Sequence, residues 1–181
     1  MRSLDRVLLD WRIRKIRRYL AKGASVLDVG CGTGAVSRRA PDLGRYVGID
    51  PDMKASSKEG HNQFIRGLSP EDVPDERPFD VILMLAVFEH VPPAQQAPVA
   101  QACARLLKAG GRVVMTVPSP KVDEILHLLI RIRLVEGMEV EQHHGYDARR
   151  TPEIFSAAGL TLVQWKRFQL GLNNLFVFRK T

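Results

Sequence analysis

VLDVGCGTGAV, residues 26–36, is the stretch on which the reading of this chain turns. Val26, Leu27 and Val29 form the short apolar run of a buried parallel strand. Gly30, Gly32 and Gly34 follow where a strand would turn into a helix, so the backbone there can bend sharply and approach a ligand with no Cβ in the way. Asp50 stands 16 residues past Gly34, at the end of the next apolar run, RYVGID. A carboxylate in that place can accept hydrogen bonds from both hydroxyls of an adenosine ribose. The glycines alone are ambiguous, because residues 30–35 also satisfy the G-x-G-x-x-[GA] pattern of dinucleotide sites. Asp28 separates the readings. A pyrophosphate would be repelled by a carboxylate two residues before the first glycine, whereas a ligand carrying an ammonium and a sulfonium would be attracted.

Outward from this loop, strands and helices alternate. The pattern predicts a helix over 34–40 ending at Pro41, strands at 45–50, 62–66 and 79–85 (FDVILML), a helix over 93–108 capped by Gly110-Gly111, and a strand at 112–117. Farther on it predicts an apolar helix over 122–135, a polar stretch over 136–150, a short helix capped by Thr151, and strands at 160–168 and 174–179. Such alternation implies a parallel sheet with helices on both faces and ligands beyond the carboxyl ends of the strands. One domain over residues 1–181 accounts for it, with 119–150 as a cap segment over the site.

The chain has 181 residues, 45% hydrophobic and 26% charged, which suits one ordinary globular core. Cys31 and Cys103 lie far apart with no CxxC spacing, no leader pattern is visible, and no apolar run approaches the roughly 20 residues that span a bilayer. A reduced, cytoplasmic protein is expected. The net charge of +7 is uneven: residues 1–22 hold eight basic side chains against Asp5 and Asp10. This segment reads as a basic helix. Leu9, Ile13, Ile16 and Leu20 form a stripe that would pack on the body as a lid, and a second apolar set, Leu4, Val7, Leu8 and Trp11, leaves peripheral membrane contact as a partner reading.

VLDVGCGTG, then GID, FDVILMLAVFEHV and LLKAGGRVVMTVPSP, resemble class I S-adenosylmethionine-dependent methyltransferases, in particular the small-molecule group related to ubiquinone-biosynthesis methyltransferases. The resemblance implies a three-layer α/β/α Rossmann-like fold, with a seven-stranded, mostly parallel sheet whose last strand runs antiparallel. It implies S-adenosylmethionine as cofactor, with Asp28, Gly30, Cys31, Gly32 and Gly34 around its methionine part, Asp50 on the ribose, and Pro51, Leu68, Ser69, Leu85 and Ala86 beside it. Cys31 is given a packing role only. Many relatives have Gly-Asp-Ala where this chain has Gly67-Leu68-Ser69; Leu68 lacks the carboxylate that would take the adenine amine, its backbone N–H could still reach the ring, and Glu71 and Asp72 are the candidates for the amine.

Methyl transfer from a sulfonium needs alignment and a dry pocket, and a base only if the acceptor is protonated. Glu89 and His90, just after the strand 79–85, are the candidate catalytic residues, with His90 the better base for a hydroxyl. His143, His144 and Tyr146 are candidate substrate residues. A metal among them is set aside, because neighbouring residues in an irregular segment seldom converge on one ion. The expected acceptor is a small or lipid-like molecule. Nucleic acid is disfavoured as acceptor, since Leu85-Ala86-Val87-Phe88 replaces the Asp/Asn-Pro-Pro-aromatic turn of base-amine methyltransferases. A nicotinamide dehydrogenase would want Tyr-x-x-x-Lys, which none of the three tyrosines provides. The remaining alternatives are an rRNA or tRNA methyltransferase acting on ribose or carbon and a non-catalytic protein that binds S-adenosylmethionine.

Overall fold

The computed structural model describes residues 3–40, 42–73, 78–119 and 146–181, with side chains from Val7 onward. The apolar helix expected over 122–135, and His143 and His144, lie outside these residues. The elements are α1 (Ser3–Ile16), β1 (Ser25–Val29), α2 (Ala35–Arg39), β2 (Arg45–Asp50), β3 (Ser57–Glu59), β4 (Asn62–Arg66), β5 (Phe79–Leu85), α3 (Pro93–Leu106), β6 (Leu107–Pro118), α4 (Thr151–Ala157), β7 (Leu160–Phe168) and β8 (Asn173–Lys180). Single 3₁₀ turns stand at Arg17–Tyr19, Phe88–His90 and Ala148–Arg150.

The strands form one sheet in the order β3-β4-β2-β1-β5-β6-β8-β7. β4, β2, β1, β5 and β6 are parallel, β8 runs antiparallel between β6 and β7, and β3 pairs antiparallel with β4. The fold is the expected Rossmann-like one, with eight strands rather than seven. The additional strand is three exposed polar residues, Ser-Lys-Glu, folded back by the turn at Gly60-His61, so no hydrophobic alternation marked it.

The period of two along each strand divides the core. Leu27, Val47, Ile49, Ile82, Met84, Val113 and Met115 face α3 and α4 through Val99, Ala100, Cys103 and Phe155. Val26, Tyr46, Val81, Leu83, Val114 and Val177 face α1 and α2 through Ile13, Ile16, Ala35 and Val36. The stripe of α1 packs as expected: Ile13 and Ile16 are buried, and Leu9 and Leu20 lie partly buried against them. Arg39 of α2 pairs with Asp10 of α1, tying the two helices together.

Four boundaries differ from expectation. α1 ends at Ile16 and tightens into a 3₁₀ turn instead of running to Lys22. α3 stops at Leu106, and Gly110-Gly111 lies inside β6 rather than capping the helix. Leu107 is drawn into the core opposite Phe79 and Lys108 into an ion pair with Asp80 (2.8 Å), so the chain is already in the sheet before the glycines, which carry a shift of register. Thr151 does not cap α4. Its hydroxyl is shared with Tyr146 Oη (2.6 Å), and Asp147 caps the preceding turn by accepting from Arg149 N–H.

Strand order reverses between β1 and β5, which places the switch point of the sheet at the carboxyl ends of β1, β2 and β5. Packing of α1 can be tested at its innermost residue. Ile16→Ala should cost about 2–4 kcal/mol in urea unfolding, the usual range for emptying a fully buried site, whereas Trp11→Ala, 44% exposed, should stay within about 0.5 kcal/mol.

Candidate functional site

The loop after β1 is held to β2 by three amides. Gly30 and Cys31 donate backbone N–H groups to Ile49 O (2.8 and 3.3 Å), and Gly32 N–H donates to Asp50 Oδ2 (2.8 Å). Asp50 Oδ1 accepts from Asp52 N–H (2.9 Å). An ionised carboxylate has about four acceptor sites, so Asp50 keeps capacity for ligand hydroxyls while fixing the loop. Arg38 of α2 clamps the far side through Thr33 O (2.5 Å) and Thr33 Oγ1 (3.2 Å).

Two of the loop glycines are required by contact as well as conformation. Both have positive φ, +70° at Gly30 and +71° at Gly34. A Cβ at Gly30 would lie 2.3 Å from Val87 Cγ2, and one at Gly34 would lie 2.5 Å from the ring of Phe64. Ala86, at the end of β5, also sits at positive φ (+60°), a conformation unfavourable for any residue with a Cβ, held there by Ala86 N–H donating to Thr116 O (2.9 Å).

Asp28 is 2% exposed, and its Oδ2 accepts from Tyr46 Oη (2.5 Å). Burial pushes its carboxyl up to about 7, the tyrosine bond opposes this, and the charge on Asp50 adds to it. Tyr46 was not singled out from sequence, although its place in the apolar run RYVGID puts it inside and a buried phenol needs a partner. Burial, with Asp28 and Asp50 nearby, pushes the Cys31 thiol up to about 12, which suits packing and not nucleophilic or metal chemistry.

Between the ends of β1, β2 and β5 and the start of α3 lies a cavity of about 280 Å³. Gly30, Pro51, Leu68, Ser69, Val87 and His90 are among its lining residues, so the structure brings together a member of the loop, the β2 end, the 67–69 turn and His90, while Glu89 does not line it. The Leu68 backbone N–H is not available to a ring as expected. It donates to Asp72 Oδ2 (2.9 Å), because the turn folds Asp72 back over Gly67.

Glu89 is 3% exposed, and neither carboxylate oxygen meets a partner in another residue. Burial pushes its pKa up to about 7; only its own backbone amide and Arg12 of α1 act in the other direction. Tyr146 stands close enough to Glu89 to feel its charge, and its ring packs edge-on to Phe88. Phe88 is fully buried. Arg12 was missed from sequence because it lay hidden in a run of eight basic residues. Among the described residues no group of His, Cys, Asp and Glu could hold a metal ion.

Comparison with known proteins agrees with this architecture. The family model described as Methyltransferase domain matches residues 2–165, and the chain belongs to the class I S-adenosylmethionine-dependent methyltransferases. Similar curated proteins include the ubiquinone biosynthesis O-methyltransferases of Paraburkholderia phytofirmans, 31% identical over 81% of this chain and 65% of that protein, and of Nitrosomonas europaea, 34% identical over 67% of this chain and 55% of that protein. The chain thus spans less than two thirds of these relatives' length. Similar solved structures are PH0226 from Pyrococcus horikoshii OT3 (TM-score 0.72, 16% identity, 96% of this chain and 92% of that one) and the N-methyltransferase NodS from Bradyrhizobium japonicum WM9 in complex with S-adenosyl-L-homocysteine (TM-score 0.69, 17% identity, 94% and 86%). At these identities the likeness is one of fold.

Two outcomes follow from the geometry. Gly30→Ala should destabilise the loop through the Val87 clash, and Val87→Ala in the same chain should recover part of the loss, leaving roughly the 1–2 kcal/mol of left-handed strain; equal losses in single and double variants, measured by urea unfolding, would show the contact to be misread. Asp28 and Glu89 each titrate near 7 when folded and near 4 when unfolded. The native state therefore binds protons that the unfolded chain has already released, and stability should fall as pH rises from about 4 to 7. Asp28→Asn and Glu89→Gln should each flatten that slope, by roughly 3 kcal/mol across the window.

Proposed function

We propose that this chain transfers a methyl group from S-adenosylmethionine to a hydroxyl oxygen of a small, largely apolar acceptor. The observation that carries the reading is the glycine loop latched to Asp50 at the switch point of the sheet, opening on a cavity that reaches His90. The residues fit the cofactor: Gly30, Gly32 and Gly34, with the Cys31 side chain buried beneath them, give an open cradle, Asp28 supplies negative charge below it, Asp50 suits the ribose, Pro51, Leu68 and Ser69 line the apolar cavity, and Leu85-Ala86 stand at the end of β5. Bound S-adenosylmethionine supplies an electrophilic methyl on a sulfonium. The protein's task is then to exclude water, align the acceptor and remove one proton, which we assign to His90 with Glu89 beside it.

The relatives that act in ubiquinone biosynthesis support oxygen as the methylated atom and a lipid-like acceptor. An apolar rim supports delivery from a membrane surface. Leu170, 95% exposed in the β7-β8 turn, adjoins Gln169, whose Nε2 donates to Leu8 O (3.0 Å), and Val7 (59%) and Trp11 (44%) stand exposed on the same helix. No described helix is long and apolar enough to cross a bilayer. We also place the protein in a reducing compartment such as the cytoplasm, since both cysteines are buried and free.

The direct test is transfer of a labelled methyl from S-adenosylmethionine to hydroxyl-bearing aromatic precursors of ubiquinone. His90→Ala should lower kcat by about 10²–10⁴ with unchanged affinity for S-adenosylhomocysteine, and Asp50→Ala should weaken that affinity by roughly 2–4 kcal/mol. Tight cofactor binding with no transfer to any hydroxyl would favour the non-catalytic reading. Flotation with phosphatidylglycerol vesicles should capture the protein and lose it on Leu170→Asp with Trp11→Ala; capture unaffected by that pair would remove the rim from the account.

A further inference from the structure

Under the amino-terminal half of α1, buried polar atoms without partners gather. Thr116 Oγ1 on β6, Ser119 Oγ just beyond it, Asn173 Oδ1 at the start of β8 and both oxygens of Glu89 are shielded from solvent, and no other described residue hydrogen-bonds to them. Each of the four residues is more than nine-tenths buried. Native interiors leave few such groups, and each costs stability unless something pairs with it.

Their positions converge. Thr116 is the register partner of Leu85 at the end of β5 and of Leu175 on β8, and Asn173 is the partner of Pro118 on β6. Ser119 N–H donates to Leu172 O (2.8 Å), holding the β6 end against the start of β8. Above them, α1 is joined to β8 by a chain of amides: Gln169 Nε2 donates to Leu8 O, and Asn173 Nδ2 donates to Gln169 Oε1 (2.5 Å). One turn along α1 from Leu8, Arg12 acts on Glu89. The floor is thus β6 and β8, the roof is α1 at residues 8–12, and the wall is the turn carrying Glu89.

The amide chain also fixes atom identities. Leu8 O can only accept, so the nearer atom of Gln169 must be its nitrogen; Gln169 Oε1 then accepts, so the Asn173 atom facing it is nitrogen. Asn173 Oδ1 is therefore a buried acceptor that only a donor can satisfy. Thr116 and Ser119 hydroxyls can donate or accept. A carboxylate or phosphate would meet Asn173 Oδ1 with repulsion, whereas a hydroxyl or amine would satisfy it.

We infer that Thr116, Ser119, Asn173 and Glu89 form the polar subsite of the methyl acceptor, and that the acceptor carries at least one O–H or N–H donor besides the group that is methylated. The subsite rests on the methyltransferase reading above and names the head-group chemistry that reading leaves open. The unliganded protein holds these groups unpaired, so the subsite lowers its stability, and the acceptor restores the missing bonds.

That trade gives a test that does not depend on turnover. Thr116→Val and Ser119→Ala each remove an unpaired hydroxyl with little change of shape. Each should raise the Tm of the free full chain by about 2–4 °C, while weakening 1,2-dihydroxybenzene, measured by NMR titration in the presence of S-adenosylhomocysteine, by tenfold or more. Anisole and benzoate, which offer no O–H donor, should bind the parent at least tenfold more weakly than 1,2-dihydroxybenzene and be unaffected by the substitutions. Variants with lowered Tm and unchanged titration would assign the hydroxyls to structure or buried water and overturn the inference, as would equal binding of the three probes. If Thr116→Val does not fold, Ser119→Ala decides alone. Failure of the parent to bind S-adenosylhomocysteine would instead sink the methyltransferase reading, and the Tm comparison would still decide whether these hydroxyls are unpaired at a stability cost.

Discussion

The carboxylate of Asp50 joins the ends of the two central strands on which the site is built. It accepts from Gly32 N–H of the loop after β1 and from Asp52 N–H of the turn after β2, while the amides of Gly30 and Cys31 reach back to Ile49 O. A glycine loop left to itself loses more conformational entropy on ordering than any other sequence. Here that cost is met by bonds to a neighbouring strand that is buried on both faces, so the loop is as fixed as the sheet. The same carboxylate has acceptor capacity left over, so the side chain that latches the loop can also accept from ligand hydroxyls.

The fold was legible from sequence to the degree that burial wrote it. β2 and β5 fall where their apolar runs begin and end, because a parallel strand covered on both faces can hold almost nothing else. β3 was invisible because an exposed edge strand of Ser57, Lys58 and Glu59 carries no such pressure. The end of α3 was misread because two adjacent glycines usually stop a helix, whereas here the pull of Leu107 into the core and of Lys108 toward Asp80 ended it sooner. Tertiary contacts outweighed the local signal.

The site was legible in its backbone and less so in its side chains. Loop glycines announce themselves by spacing, since few other structures need three of them across a strand-to-helix turn. Tyr46, Arg12, Thr116 and Asn173 do not. Each lies on a different element; Tyr46 matters through Asp28, Arg12 through Glu89, Asn173 through Gln169 and so Leu8, and Thr116 through a hydroxyl that has no partner among the described residues. No local pattern encodes such pairings.

The two faces of the site follow opposite electrostatic rules, and this bears on what can enter it. Below the glycine loop, burial and then the charge on Asp50 add to the cost of ionising Asp28, with no cation among the influences on it. A positively charged ligand would relieve that cost, and an anionic one would add to it. At Glu89 the balance differs, because Arg12 already offsets part of the burial penalty and the oxygens want hydrogen bonds more than charge. A cation therefore belongs on the β1–β2 side and a neutral, donor-bearing group on the β6–β8 side. Strained Ala86, bonded to Thr116, stands at the carboxyl end of β5 where the two sides meet, and that is where a methyl group would have to pass from one ligand to the other.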